Sequence, residues 1–199
     1  MIGLRQFDGV GSQRYGQVVS SSSGSISLRL AMSLDGYIAD EDGNYDWIVP
    51  VPSPTLDTVD PLPFEVFLDD IDVVVMGRNC YDQGQHRDYA ELGKRLIVAT
   101  SSPPVTVPGE GFVEFVSEDV VGTVRAARDE GQRCFLFGGG RLVETFLASN
   151  LVDELTVGIV PVLLGKGRPL FGGRHPQVDL ALKAYAVLDG KVRLVYRRR

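Results

Sequence analysis

Cys134-Phe135-Leu136-Phe137-Gly138-Gly139-Gly140-Arg141-Leu142-Val143 carries a short apolar strand straight into three glycines and out into a helix. A strand that ends in glycine and opens a helix presents bare backbone N–H groups at the positive end of that helix, which suits a phosphate or pyrophosphate. Glycine removes the side chains that would keep a ligand away from the backbone, and it permits positive φ. Gly-Gly also serves ordinary tight turns. Taken alone, the stretch leaves a structural turn and a phosphate cradle both open.

Upstream of it, Phe112 to Val116 reads as a short strand, and Ser117 as the N-cap of a helix with Glu118 and Asp119 in its first turn. Val120, Val124 and Ala127 follow at helical spacing, and Gly131 stops that helix. Further back, Ile71 to Met76 and Lys94 to Thr100 are β-branched runs typical of strands buried on both faces. Ile26, Leu28, Leu30 and Met32 alternate with Ser27, Arg29 and Ala31 at the period of a strand. Pro63 to Asp70 fits a short helix with Phe64, Phe67 and Leu68 on one face, after a proline-rich loop. Downstream, Leu142, Val143, Phe146 and Leu147 mark a helix that Asn150 stops, and Leu155 to Val160 is a strand ended by Pro161. Leu180 to Leu188 and Val192 to Tyr196, joined at Asp189-Gly190, read as a closing hairpin. Strands alternate with helices through the middle and stand alone at the end. The pattern predicts an α/β sandwich whose mostly parallel sheet has antiparallel strands at one edge.

With 199 residues, the chain has room for one domain with a full core, and no linker divides residues 26–199. Residues 1–25, rich in Gly, Ser and Gln, read as a flexible extension. A net charge of −6 argues against broad nucleic-acid binding, and Arg197-Arg198-Arg199 reads as a solvated strand end. No run approaches the roughly 18 apolar residues that span a bilayer. Cys80 and Cys134 are far apart and lack metal spacing, so a disulfide framework is not expected and a reducing cytoplasm is.

Three further motifs carry possible chemistry. Ser33-Leu34-Asp35-Gly36 follows the first strand; it reads as a surface turn, or as a carboxylate at the ligand-binding end of an open sheet. Met76-Gly77-Arg78-Asn79-Cys80-Tyr81 pairs a glycine with a forked cation suited to phosphate, or simply starts a helix with an exposed arginine. Leu163-Leu164-Gly165-Lys166-Gly167-Arg168-Pro169-Leu170-Phe171 is a basic loop beside a ligand, or a long connection whose Leu170 and Phe171 plug the core. His86 and His175 form no metal cluster, and no metal site is expected. There is no GxSxG elbow and no GKS or GKT, and Val143 stands where a dinucleotide fingerprint has its third glycine.

In this order the motifs resemble the dihydrofolate reductase-like superfamily, and most closely the RibD C-terminal domain of riboflavin-biosynthesis proteins, as a stand-alone member. The carriers are Ala31-Met32-Ser33-Leu34-Asp35-Gly36, Val75 to Tyr81, Phe137 to Gly140, Leu151 to Leu155 and Pro161 to Gly167. The resemblance implies a three-layer α/β/α sandwich that binds NADPH. Carried over by position, Ala31 and Ile38 line the nicotinamide, while Gly77, Arg78, Asn79 and Cys80, with Thr100 and Ser101, hold the adenosine-phosphate half. Gly138, Gly139 and Gly140, helped by Arg141 and Leu142, cradle the pyrophosphate, and Asp35 with Ser33 faces the substrate as catalytic residues. Cys80 stands where the family often has threonine, which removes a hydroxyl contact to the cofactor phosphate. Asp46-Trp47-Ile48-Val49-Pro50 does not reproduce the folate enzyme's pterin-binding pattern.

The implied activity is hydride transfer from NADPH to 5-amino-6-(5-phosphoribosylamino)uracil or a similar small molecule. A dihydrofolate reductase, another carbonyl or imine reductase of the same fold, and a non-catalytic nucleotide-binding protein are the alternatives. Relatives commonly pair as homodimers, for which the strand-rich end from Leu180 to Tyr196 offers an edge.

Overall fold

The computed structural model describes residues 23–60, 63–102 and 111–199, so most of the expected N-terminal extension lies outside the described residues. The alternating first segment forms β1 (Ser25–Ser33), and a turn at Leu34–Gly36 leads into the short β2 (Tyr37–Ala39). After the proline-rich loop come α1 (Phe64–Asp69), β3 (Val73–Gly77), α2 (Arg78–Asp82), α3 (Arg87–Glu91), β4 (Arg95–Ala99) and β5 (Val113–Val116). The chain continues through α4 (Val120–Asp129), β6 (Arg133–Gly138), α5 (Gly140–Ala148), β7 (Glu154–Val160) and the two-residue β8 (Arg168–Pro169), and closes with β9 (Leu180–Leu188) and β10 (Lys191–Arg198).

Eight strands form one sheet in the order β5-β4-β3-β6-β1-β7-β10-β9, and β2 pairs with β8 in a separate ribbon. Every pairing from β5 through β7 is parallel, whereas β10 runs antiparallel to both β7 and β9. The expected antiparallel closing edge is present. Asp189 and Gly190 both take positive φ, 51° and 72°, as a two-residue hairpin whose twist matches its strands requires.

Period-two alternation splits the sheet's side chains into two cores. Ile26 and Leu28 of β1, Val73 and Val75 of β3, and Cys134 and Leu136 of β6 pack with Val143 and Phe146 of α5 and Val124 of α4. The opposite face collects Val74, Met76 and Phe135 with Phe67 of α1, Tyr81 of α2 and Tyr89 of α3. Helices on both faces make the three-layer sandwich.

Local chemistry explains most element ends. Ser117 is not the cap of α4: Asp119 is, with its Oδ1 accepting from the Gly122 amide at 2.8 Å. A cap sits immediately before the first helical residue, two or three residues ahead of the amide it satisfies, and Ser117 lies two residues too early. Asn150, at φ 64°, ends α5 as expected, with the Leu151 amide reaching back to Phe146 O and the Asn150 amide to Leu147 O. β1 opens at Ser25, whose amide donates to Gln132 O. Neither α3 nor the β2–β8 ribbon was legible in the sequence, because two- to five-residue elements carry too little periodicity to detect.

Candidate active site at the carboxyl edge of the sheet

Parallel strands end on one side, so Ser33, Gly77, Ala99 and Gly138 all reach the same edge of the sheet. Along β1 the two neighbours behave differently. Pairing with β6 stops at Leu28↔Leu136, whereas pairing with β7 runs on to Ser33↔Val160. Beyond Leu28, β1 and β6 therefore part, with Leu30 of β1 lying beside Gly138. Open α/β sheets bind ligands outside the carboxyl ends of strands that part in this way.

The three glycines have separate physical reasons. Gly138 and Gly139 take φ of 124° and 36°, conformations that side-chain-bearing residues rarely adopt. A Cβ on Gly139 would meet nothing within 4 Å, and one on Gly138 would meet only Leu30 Cδ2 at 3.9 Å. Gly140 differs: a Cβ there would strike the Pro169 carbonyl oxygen, so its glycine is a packing requirement. Gly139 O accepts from the Leu142 and Val143 amides at 2.9 and 3.1 Å. The first-turn amides ahead of them, including those of Gly140 and Arg141, belong to the set a helix leaves without internal acceptors. Open space, positive φ and a nine-residue helix behind it make this turn a fit for a pyrophosphate. Leu142 is buried in the core and its amide is already donated to Gly139 O, so it offers a ligand nothing, whereas Arg141 is exposed.

Beside this turn, Gly77 caps α2 and Cys80 points back at the cradle, its Sγ 4.0 Å from Gly138 O. Burial pushes the Cys80 thiol up, partly offset by the Gly139 and Gly77 amides and by the field of Arg168. The thiol is therefore protonated at neutral pH and stitches the two glycine turns together. Arg78 is engaged along its own helix: its Nε is 2.8 Å from Asp82 Oδ1, and its guanidinium lies over Tyr81 and Phe115. Asn79 is exposed beside it. Thr100 and Ser101 follow β4, one strand beyond β3; Thr100 Oγ1 accepts from the Ser102 amide, and the chain then leaves the described residues.

Along β1 and β2, Ala31 lies opposite Gly158 of β7, and Ile38 packs on the larger core. Ser33 is fully buried and Asp35 is exposed. The Asp35 carboxylate accepts from Ser33 Oγ at 2.6 Å and from the Leu164 and Gly165 amides at 3.2 and 2.7 Å. These bonds, the Ser33 hydroxyl foremost, hold it below the usual carboxylate range. The basic loop thus lies on the site and contributes Arg168, whose Nη2 donates to Asp42 O and whose charge reaches Cys80. Arg168 was not singled out in the sequence; only its place in a Gly-Lys-Gly-Arg run hinted at it. Of the two residues expected to plug the core, Leu170 is buried, but Phe171 remains 41% exposed. No group of three His, Cys, Asp or Glu suited to a metal occurs among the described residues. No helix among them is long and apolar enough to cross a membrane.

The sequence profile of the RibD C-terminal domain family matches residues 51–194. The chain belongs to that family. Among solved structures this RibD C-terminal domain resembles a Shewanella sp. PV-4 protein with a provisional riboflavin-biosynthesis name. The two share 30% identity and a TM-score of 0.72, with 88% of this chain and 99% of that one covered. Two more distant structures share the fold. One is a Thermotoga maritima diaminohydroxyphosphoribosylaminopyrimidine deaminase/5-amino-6-(5-phosphoribosylamino)uracil reductase, at 20% identity and TM-score 0.64, covering 89% of this chain and 57% of that one. The other is Enterococcus faecalis dihydrofolate reductase complexed with NADP(H), at 17% identity and TM-score 0.58, covering 89% and 98%.

Proposed function

We propose that this RibD C-terminal domain is an NADPH-dependent reductase whose substrate is 5-amino-6-(5-phosphoribosylamino)uracil or a close analogue. The observation that carries the proposal is the positive-φ Gly138-Gly139 turn, open at Gly139 and backed by α5, at the end of the sheet where β1 and β6 part. Its family supports a riboflavin-pathway reductase, and the similar Thermotoga and Enterococcus proteins bear the substrate and cofactor in their names.

When bound, the dinucleotide supplies a hydride from C4 of its nicotinamide. The rest of the task belongs to the chain: alignment and charge placement. The amides at the start of α5 would receive the pyrophosphate, with Arg141 and Arg168 as nearby cations. Ala31, paired with the small Gly158, and Ile38 would line the nicotinamide. Gly77, Arg78, Asn79 and Cys80, with Thr100 and Ser101 one strand over, would hold the adenosine half.

Titrating NADPH while following its fluorescence, then supplying the pyrimidine substrate and following loss of absorbance, tests the reading. Saturable binding and substrate-dependent oxidation are expected. Absence of binding at about 100 µM, a threshold near −5.5 kcal/mol, overturns it.

A further inference from the structure

The Asp35 carboxylate, though exposed, is tied by three hydrogen bonds within the protein. Its Oδ1 takes the Ser33 hydroxyl and the Leu164 amide, and its Oδ2 takes the Gly165 amide. The hydroxyl that donates to it is itself anchored, because the fully buried Ser33 Oγ accepts from the Tyr37 amide at 2.9 Å. More bonds follow the same seam. The Leu34 amide donates to Val162 O at 2.9 Å, the Leu170 amide to Gly36 O at 2.9 Å, and Tyr37 Oη to Gly165 O at 3.4 Å. Lys166 pairs with Glu41, and β2 pairs with β8 through Tyr37↔Pro169 and Ala39↔Arg168. At the far end, the Pro169 carbonyl presses on Gly140 at the start of α5.

We infer that Asp35 is a positioning residue: a latch that holds the Val162–Leu170 loop across the site and so sets Pro169 against Gly140 of the glycine turn and Arg168 against Asp42, rather than a group that relays a proton to the substrate. The inference rests on the reading of this edge as a dinucleotide site. The series is continuous, from the carboxylate through two loop amides and the β2–β8 ribbon to the first residue of the cofactor helix. Those bonds leave the carboxylate ionised and occupied. Releasing it frees the loop at Leu164 and Gly165, where no regular pairing replaces the lost bonds. The depressed pKa of Asp35 agrees with an acceptor that keeps its charge rather than a donor that gives up a proton.

Amide hydrogen exchange over residues 163–166, measured without cofactor in the wild type, Asp35→Ala, Asp35→Asn and Ser33→Ala, tests the latch. Exchange at Leu164 and Gly165 is expected to rise about tenfold or more in Asp35→Ala, as hydrogen bonds to a charged acceptor are lost. Asp35→Asn, which keeps one acceptor oxygen, is expected in between. Ser33→Ala moves the same amides and serves as the second variant should Asp35→Ala fold poorly. In turnover, the loss in Asp35→Ala falls mainly on the KM for NADPH, and Asp35→Asn recovers part of it. Unchanged exchange in all three variants overturns the latch. So does a fall in kcat of about 100-fold or more, equal in the Ala and Asn variants, with cofactor affinity intact, as loss of a general acid–base group would give. A wild type that binds no NADPH defeats the dinucleotide reading instead, and the exchange data still decide the latch.

Discussion

Truncating Leu170 to alanine tests how the basic loop is held at its far end. Leu170 has no exposed surface, packs into the core under α5, and follows directly on β8. Fully burying a leucine side chain contributes about 1.5–3 kcal/mol. The hole left by alanine adds to that loss when its walls cannot collapse, for a usual range of about 2–5 kcal/mol. Here the backbone on both sides is tied, since the Leu170 amide donates to Gly36 O and the Pro169 carbonyl rests on Gly140. Little collapse is available, so Leu170→Ala should lose about 3 kcal/mol. Phe171 is 41% exposed and projects away from that core, so Phe171→Ala should lose less than about 1 kcal/mol despite removing more carbon. Urea unfolding followed by the fluorescence of Trp47, the single tryptophan, and by far-UV circular dichroism reads both variants. With a slope of about 2–3 kcal/mol per molar, the midpoint of Leu170→Ala should fall by roughly 1 M. A loss under about 1 kcal/mol for Leu170→Ala, or equal losses in the two variants, would refute the plug.

Two other outcomes are expected. Arg29 is 9% exposed, with its guanidinium 4.9 Å from the Phe67 ring centroid and 5.3 Å from that of Phe64; burial, then Arg193, brings its pKa down to about 10. Arg29→Met keeps the apolar stem and removes a buried charge, so by urea unfolding at neutral pH it should stay within about 1 kcal/mol of wild type, whereas Arg29→Ala should lose about 3 kcal/mol. The charge penalty is fully present below the folded pKa and is relieved as pH rises through about 10, because the unfolded chain then binds more protons. Wild type should therefore gain on Arg29→Met above pH 10 or so, and a flat difference across that range would sink the assignment. At the antiparallel edge, Leu182, Tyr185 and Val192 are exposed on the sheet face that carries Leu155 and Val157 of the core. A second copy of the chain suits this apolar strip; light scattering should report a dimer, and Tyr185→Lys a monomer, while a wild-type monomer at micromolar concentration would rule the strip out as an interface.

The sequence by itself determined the elements whose chemistry is local. β-branched runs at Ile71–Met76 and Lys94–Thr100 became buried parallel strands, Asn150 stopped α5, and Asp189-Gly190 made the hairpin, because periodicity and turn preference act over a few neighbours. The triple glycine was legible as a turn into a helix but not as three different requirements. Only packing shows that Gly140 answers to Pro169, 29 positions along the chain, while Gly138 lies beside Leu30 and Gly139 faces open space. Likewise Ser33-Leu34-Asp35-Gly36 announced a carboxylate at a strand end, and nothing local said that its oxygens would be taken by Leu164 and Gly165. Tertiary structure decided which distant backbone groups meet that edge, since parallel strand order brings together segments that no short-range pattern connects.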